Sequence, residues 1–170
     1  GQEMTELRSY AVALAAGKGG IVSIVGDAGS GKSRLAAELA NVGELVGAQW
    51  IDAPSLDVGV KRGFYPFGEL LRGWLGAADR DDASTLEALK HELSTLFGEN
   101  AEELFPFIAN LMSLPLRRRE QKRIEDVDGE ALDKLILRAL SELIPRIAGE
   151  APLVLFFEDF HWADGSSVSL

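Results

Sequence analysis

The chain has 170 residues, is 46% hydrophobic and 26% charged, and carries a formal net charge of −10. No apolar run approaches the roughly 20 residues of a membrane span, and the first residues do not resemble a secretory signal. The absence of cysteine excludes disulfides and thiolate metal sites. The acidic charge argues against direct nucleic-acid binding by this segment, because an acidic surface repels phosphates. We therefore expect a soluble, cytoplasmic globular protein with no membrane partner.

The first predicted elements are a strand, a glycine-rich loop, a helix and a second strand. Residues 21–25 are mostly β-branched and stop at Gly26, which predicts a buried strand. Residues 49–53 predict the second strand, which Pro54 ends. The helix between them is indicated by apolar residues at helical spacing, with Gly47 as the C-terminal cap: Leu35, Leu39, Val42 and Val46. This order is typical of an α/β fold with a parallel sheet covered on both faces.

A helical insertion is predicted at about residues 64–148, between two strands of one sheet. Its first helix has Pro66 in the first turn, a position where the missing N–H costs nothing. The second helix starts at Ser84, where Glu87 completes a capping box, and ends before Gly98. Both helices show apolar residues on one face, which predicts that they pack against a core.

The second half of the insertion contains two further predicted helices. The third helix has Pro106 near its first turn, and the fourth starts at about Glu130 and should be kinked or ended by Pro145. Five cations precede the fourth helix: Arg117, Arg118, Arg119, Lys122 and Arg123. We interpret them as a solvated face, with contact to a partner or a nucleotide as the alternative. Residues 153–157 are apolar on both faces, as a central parallel strand must be.

The most specific motif is the loop after the first predicted strand. It fits the pattern G-x-x-x-x-G-K-S at every specified position and comprises Gly26, Asp27, Ala28, Gly29, Ser30, Gly31, Lys32 and Ser33. Its glycines allow successive N–H groups to surround a β-phosphate at the start of a helix. Lys32 can reach the β- and γ-oxygens, and Ser33 can offer its hydroxyl to Mg²⁺. We therefore predict a site for ATP with Mg²⁺, although no motif distinguishes ATP from GTP.

Two adjacent carboxylates, Glu158 and Asp159, end the last predicted strand. Open α/β sheets bind ligands at the carboxyl ends of their strands. Phosphoryl transfer to water needs an acid near the metal and a group that orients the attacking water. Neighbouring strand residues point to opposite faces, so the two acids can take different roles. A solvated strand end is the alternative interpretation.

With both motifs in view, the chain resembles the AAA-like ATPase domain of STAND-type signalling proteins. More narrowly, it is similar to the ATPases attached to bacterial adenylate/guanylate cyclases, to some protein kinases and to large LuxR-type transcription regulators. Four segments carry the resemblance: GQEMTEL at 1–7, GDAGSGKSRLAAEL at 26–39, FYPFGELLRGWLG at 64–76 and PLVLFFEDFHWAD at 152–164. They extend along the whole chain.

The resemblance implies a three-layer αβα P-loop NTPase with five core strands in the order 5-1-4-3-2. It implies that Lys32 contacts phosphate, that Ser33 and Glu158 are Mg²⁺ ligands, and that Asp159 activates water. The family usually has Asp-Glu or Asp-Asp at the acid pair, so the division of roles between Glu158 and Asp159 stays open. Two more strands would follow the acidic strand, one of them between it and the loop strand. We expect residues 1–170 to be the N-terminal part of a single such domain, truncated after the acidic (Walker B) strand and poorly folded alone.

Three functions are compatible with these motifs. The first is an ATP-hydrolysing switch that acts on downstream domains of the same protein, with a nucleotide-dependent oligomer as one form of that switch. The second is a regulatory module that holds ATP without hydrolysing it and acts by binding partners. The third is a P-loop kinase for a small molecule, ranked last because a kinase has less need of an acid that activates water.

Overall fold

The structure, a computed structural model, is divided into two compact units. It describes residues 1–53, 64–77 and 79–158, except for the side chain of Glu44. The first unit contains Gly1–Trp50 and Ala148–Val154, and the second contains Ile51–Ile147 and the residues from Leu155 onward.

Two helices and two paired strand ends make up the first unit. Its elements are helix α1 (Gln2–Ala15), helix α2 (Lys32–Ala40), a 3-10 turn (Gly43–Leu45) and the first residues of strands β1 (Gln49–Ala53) and β2 (Leu153–Phe157). The N–H of Gln49 donates to the carbonyl of Pro152 at 2.8 Å. The two strands therefore start side by side and run parallel. The strands predicted at residues 49–53 and 153–157 are confirmed, and the α/β character of the fold with them.

Helix α2 is shorter than its apolar spacing predicts. It ends at Ala40, where Asn41 follows as the C-cap and its side-chain amide donates to the carbonyl of Ala37 at 2.8 Å. Val42 then adopts an extended conformation and is only 4% exposed. It belongs to a buried cluster with Ala11 and Leu45, around which further apolar side chains pack: Leu14, Leu39, Ala48, Trp50 and Val154. The chain therefore leaves the helix before Val42 and buries that side chain, where the apolar spacing predicts a further helical turn.

Residues 21–25 do not form the predicted strand. They pair with no strand among the described residues, and Ile21 and Val25 are 95% and 92% exposed. A β-branched run becomes a strand only when a neighbouring strand bonds its N–H and C=O groups. The prediction is wrong for this structure because the described sheet contains β1 and β2 alone. The same narrow sheet leaves β2 half-buried rather than enclosed as an interior strand.

The second unit is mainly helical. Its helices are α3 (Tyr65–Trp74), α4 (Asp82–Phe97), α5 (Ala101–Leu111), α6 (Arg118–Glu125) and α7 (Gly129–Ala148), with a 3-10 turn at Gly98–Asn100. The predicted apolar faces form its core, whose most deeply buried members are Leu70, Leu71, Leu89, Leu93, Ile108, Leu140 and Leu143. Helix α6 is not among the predicted helices, because it buries no residue and so shows no apolar face in the sequence.

Two prolines lie further inside helices than predicted. Pro106 lies within α5 rather than near its first turn, and α7 continues past Pro145 to Ala148. Pro106 has no N–H to offer the carbonyl of Glu102, four residues earlier. The guanidinium of Arg123 donates to that carbonyl at 3.1 Å. This contact from α6 satisfies the acceptor that the proline leaves free, so a side chain distant in sequence supports the helix.

Helix α3 approaches the end of α5 so closely that Gly68 leaves no room for a side chain. A Cβ there would lie 2.9 Å from the carbonyl oxygen of Leu111. We expect Gly68→Ala to lower the free energy of unfolding by about 1–3 kcal/mol, because the two backbones would have to separate. Gly129→Ala is the matched control, since its Cβ would meet no other described segment within 4 Å. Chemical denaturation should show the control unchanged or slightly stabilised; equal stability of the two variants would contradict the close approach.

Helix α4 is capped by Asp81, not by the predicted Ser84. The Asp81 carboxylate accepts the backbone N–H of Ser84 at 2.7 Å. Glu87 forms an ion pair with Lys90 at 2.9 Å instead of closing a capping box. The hydrogen bond from the Ser84 backbone is the main reason why the pKa of Asp81 is lowered from its ordinary value of 3.8. Both residue types cap helices well, so the sequence alone does not decide between them.

The lowered pKa predicts how this cap depends on pH. A carboxyl whose folded pKa is depressed contributes stability above its unfolded pKa and loses it as the pH falls through the folded value. We expect Asp81→Ala to destabilise the chain at pH 7, with a difference from the native chain that shrinks below pH 3.8. Asp81→Asn keeps the acceptor oxygen but cannot titrate, so it should retain the cap both at pH 7 and in acid. Denaturant titrations of the three proteins from pH 7 to acid would measure this; a difference independent of pH would contradict it.

Candidate functional site

The glycine-rich loop leads directly into helix α2. Gly29 and Gly31 have φ angles of +77° and +94°, in the left-handed region that a residue with a Cβ rarely adopts. The N–H of Ser30 donates to the carbonyl of Asp27 at 3.1 Å, which closes a tight turn. A Cβ at Gly26 would lie 2.7 Å from the hydroxyl oxygen of Ser30. The backbone path therefore favours glycine at positions 29 and 31, as the motif predicts, whereas a Cβ at position 26 would require the Ser30 side chain to move.

Lys32 folds back over the loop that precedes it. Its ammonium donates to the carbonyl of Gly26 at 2.8 Å and to that of Asp27 at 3.0 Å. These bonds hold a positive charge beside the turn formed by residues 27–30. An anion bound to the loop would meet this ammonium, which carries the compact charge that suits phosphate oxygens.

The N-terminus of α2 adds further donors. Gly31 is its N-cap. No side chain of the described residues caps the helix, and its first turn contains no acidic residue. The first intrahelical bond runs from Leu35 N–H to the carbonyl of Gly31 at 2.9 Å. The N–H groups of residues 32–34 thus have no intrahelical acceptor, and the positive end of the helix dipole lies at the same point. Free N–H groups at a helix N-terminus next to an ammonium are groups that can donate to an anion such as phosphate.

The predicted acids lie elsewhere in the chain. Glu158 directly follows β2 and is exposed, in the second unit. Asp159 lies outside the described residues, so its predicted role stays a prediction. The eight loop residues are brought together in the first unit.

One side chain of the loop, that of Ser33, carries an oxygen of the kind that Mg²⁺ takes as a ligand. Ser33 is exposed in the first turn of α2, where its hydroxyl can serve as a ligand. Among the described residues, no cluster of three or more His, Asp or Glu side chains could enclose a metal. Mg²⁺ is commonly held by few protein ligands, with substrate phosphates and waters completing its shell. The predicted roles of Ser33 and Glu158 as Mg²⁺ ligands stay predictions.

Helix α1 and the cleft beside it were missed by the sequence predictions. Leu7, Ala11 and Leu14 have the helical spacing that could have revealed α1. An open cleft of about 460 Å³ lies between α1 and α2 and is lined by Met4, Arg8, Arg34, Ala37, Glu38 and Asn41. Of the two arginines in this cleft, Arg8 is part of no motif, and Arg34 lies in the segment 26–39 without a predicted role.

A glycine loop with left-handed glycines, a lysine folded over it and a helix N-terminus define a P-loop protein in an α/β chain. A family model described as the AAA ATPase domain matches residues 1–170, and the chain belongs to this family. It is thus a P-loop ATPase domain, of a family that binds nucleotide.

The chain is 27% identical over 155 residues to an uncharacterized protein of Rhizobium meliloti (strain 1021). The match covers 91% of this chain and 15% of that protein, so the chain spans a small part of its relative's length. No solved structure is significantly similar to the chain. Within the described residues, no helix is both long enough and apolar enough to cross a membrane.

Proposed function

We propose that the chain binds ATP with Mg²⁺ at residues 26–33 and hydrolyses the γ-phosphate, as a nucleotide switch in a larger signalling or transcription-regulatory protein. The observation that carries the proposal is the geometry of the loop: left-handed Gly29 and Gly31 lead into an uncapped helix N-terminus, and the Lys32 ammonium is held on the carbonyls of Gly26 and Asp27. The same short segment therefore offers both N–H donors and one ammonium. It suits a polyphosphate better than a single carboxylate, because several donors converge.

Each proposed side chain has a distinct task in hydrolysis. Lys32 neutralises charge on the β- and γ-oxygens, and Ser33 and Glu158 bind Mg²⁺, which supplies electrostatic stabilisation of the transferring phosphoryl group. Asp159 orients the attacking water and accepts its proton. The water oxygen then bonds to the γ-phosphorus as the bond to the β-bridging oxygen breaks, which releases ADP and phosphate.

The switch role is supported by the chain's setting. Membership of the AAA ATPase domain family and a relative that is several times longer favour a domain that acts on other parts of its protein. Downstream domains and a nucleotide-dependent oligomer are the proposed partners. The switch requires that ATP and ADP states pack differently, since a ligand shifts an equilibrium only through differential affinity.

The alternative is a module that retains ATP without hydrolysing it, which the Glu-Asp order of the acid pair favours. Single-turnover hydrolysis separates the two functions. With Mg²⁺ present and the intact protein in excess over ATP, bound ATP should be converted to ADP and phosphate. Release of intact ATP after quenching would contradict hydrolysis and leave the ATP-bound module as the function. Absence of binding by folded protein would contradict both.

A further inference from the structure

Helix α6 and the turn after it carry opposite charges in adjacent segments. The basic segment, residues 117–123, holds five cations and one carboxylate, and the acidic segment, residues 125–130, holds four carboxylates and no cation. The charged side chains exposed in the two segments are Arg117, Arg118, Arg119, Lys122 and Arg123, followed by Glu125, Asp126, Asp128 and Glu130. In a chain of net charge −10, such a concentration of cations is exceptional.

The basic segment is not neutralised by the residues that the structure describes. In α7, Arg138 forms an ion pair with Glu142 one turn away. No cation of α6 forms such a pair with a carboxylate of the described residues. Glu125 accepts the side-chain amide of Gln121 at 2.7 Å. One carboxylate oxygen of Glu120 is buried and accepts no hydrogen bond from a described group. Four side chains consequently form no ion pair with described residues: Arg117, Arg118, Arg119 and Lys122.

Arg123, the fifth cation, attaches the basic segment to helix α5. Its guanidinium donates to the carbonyl of Glu102 at 3.1 Å and lies 5.8 Å from the centre of the Phe107 ring. Both contacts anchor α6 on α5. The basic segment is therefore held against α5, and the exposed acidic segment follows it directly in the chain, so the two form one continuous charged stretch of surface residues.

We propose that this surface is a salt-dependent contact between two copies of the chain, in which the basic segment of each copy faces the acidic segment of the other. A two-fold contact brings the same surface of both copies together, so each pairing occurs twice and the surface must complement itself. Adjacent segments of opposite sign meet that requirement. Glu130 already pairs with Lys134 at 2.7 Å, so the complementary carboxylates are those of Glu125, Asp126 and Asp128. A nucleic acid fits less well, because a long polyanion would also meet the acidic segment.

Salt is the first variable to test. The screening length is about 8 Å at physiological ionic strength, so segments in contact interact more strongly than the distant net charges repel. Exposed ion pairs are individually weak, which makes the expected association weak as well. Sedimentation velocity should detect dimers at 0.1 M salt that dissociate at 1 M, where the screening length falls to about 3 Å. The intact Lys32→Ala protein without nucleotide is the background, so that association through a nucleotide site does not contribute.

Charge reversal tests the pairing itself. Arg118→Glu with Lys122→Glu should weaken self-association by about tenfold or more. Glu125→Lys with Asp126→Lys should have the same effect, although it makes the chain less acidic. A mixture of the two variants should associate again, because each reversed segment then faces its complement. Arg80→Glu with Arg138→Glu changes the net charge as much as the first reversal, away from both segments, and should have little effect.

Several outcomes would overturn the proposal. The first is a background protein, without charge reversals, that is monomeric at 0.1 M salt. The second is a control pair, Arg80→Glu with Arg138→Glu, that weakens self-association as much as the reversals do. The third is a mixture of the two reversed variants that stays monomeric although circular dichroism shows both variants folded. Should a reversal unfold the chain, Arg118→Ala with Lys122→Ala takes its place and must weaken association. Binding of a labelled single-stranded oligonucleotide that only the basic reversal abolishes would assign the surface to nucleic acid instead.

Discussion

Lys32→Ala should reduce the affinity of the intact protein for Mg²⁺ and a slowly hydrolysed ATP analogue by about 10–100-fold, the usual weight of a charge-assisted contact. In the structure the Lys32 ammonium bonds the carbonyls of Gly26 and Asp27. Its loss removes both the cation that meets the phosphates and a support of the loop. Calorimetric titration with the analogue, with and without Mg²⁺, measures the change.

Two variants sharpen this result. Arg34→Ala is the matched control, because Arg34 lies two residues further along α2, is 84% exposed and pairs with Glu38; it should bind the analogue normally. Lys32→Arg keeps the charge but replaces a compact ammonium by a planar fork, so it should restore binding only in part. If Lys32→Ala binds as tightly as the native chain, or if neither binds while circular dichroism shows folded protein, the loop is not the nucleotide site.

Asp159→Asn should leave the affinity for ATP unchanged and lower turnover by on the order of 10²-fold or more, as expected for loss of a general base. Asparagine has nearly the same shape but cannot accept the proton of the attacking water. The affinity is retained because the phosphate contacts belong to residues 26–33. Single-turnover hydrolysis and analogue binding, both on the intact protein, provide the two measurements.

The acid pair offers its own comparison. Glu158→Gln should raise the Mg²⁺ concentration needed for half-maximal turnover, since the proposed role of Glu158 is metal binding. Glu150→Gln, an exposed acid before β2, should change neither quantity. Unchanged turnover in Asp159→Asn would remove Asp159 from its proposed role, and a loss in Glu158→Gln alone would transfer that role to Glu158.

The loop was predictable because its conformation depends on local residues. Left-handed glycines at positions 29 and 31, a lysine within reach of the loop and a helix that starts directly afterwards are all local relations. The apolar runs at 49–53 and 153–157 were equally informative and form strands with those bounds. What the sequence could not supply is the role of the acid pair, because the relation of Glu158 and Asp159 to the loop depends on long-range packing.

Helix ends and prolines were predicted less well because they depend on partners distant in sequence. Pro106 was expected near a helix start, but Arg123 satisfies the carbonyl of Glu102 and permits the proline inside α5. Gly68 shows the same dependence: nothing in its sequence neighbourhood reveals that Leu111 lies against it. Such contacts are invisible to periodicity, which reports only which face is apolar.

By itself, the sequence determined the glycine-rich loop, the two strands that pair and the apolar faces that became the core, because each depends on residue type and short spacing. Tertiary structure alone decided that residues 21–25 stay unpaired, that α2 ends at Ala40, and that a polar stretch forms α6. A strand needs a neighbour for its backbone hydrogen bonds, and Val42 leaves the helical path where a buried cluster receives it. Helix α6 is held by Arg123 contacts on α5 rather than by an apolar face of its own.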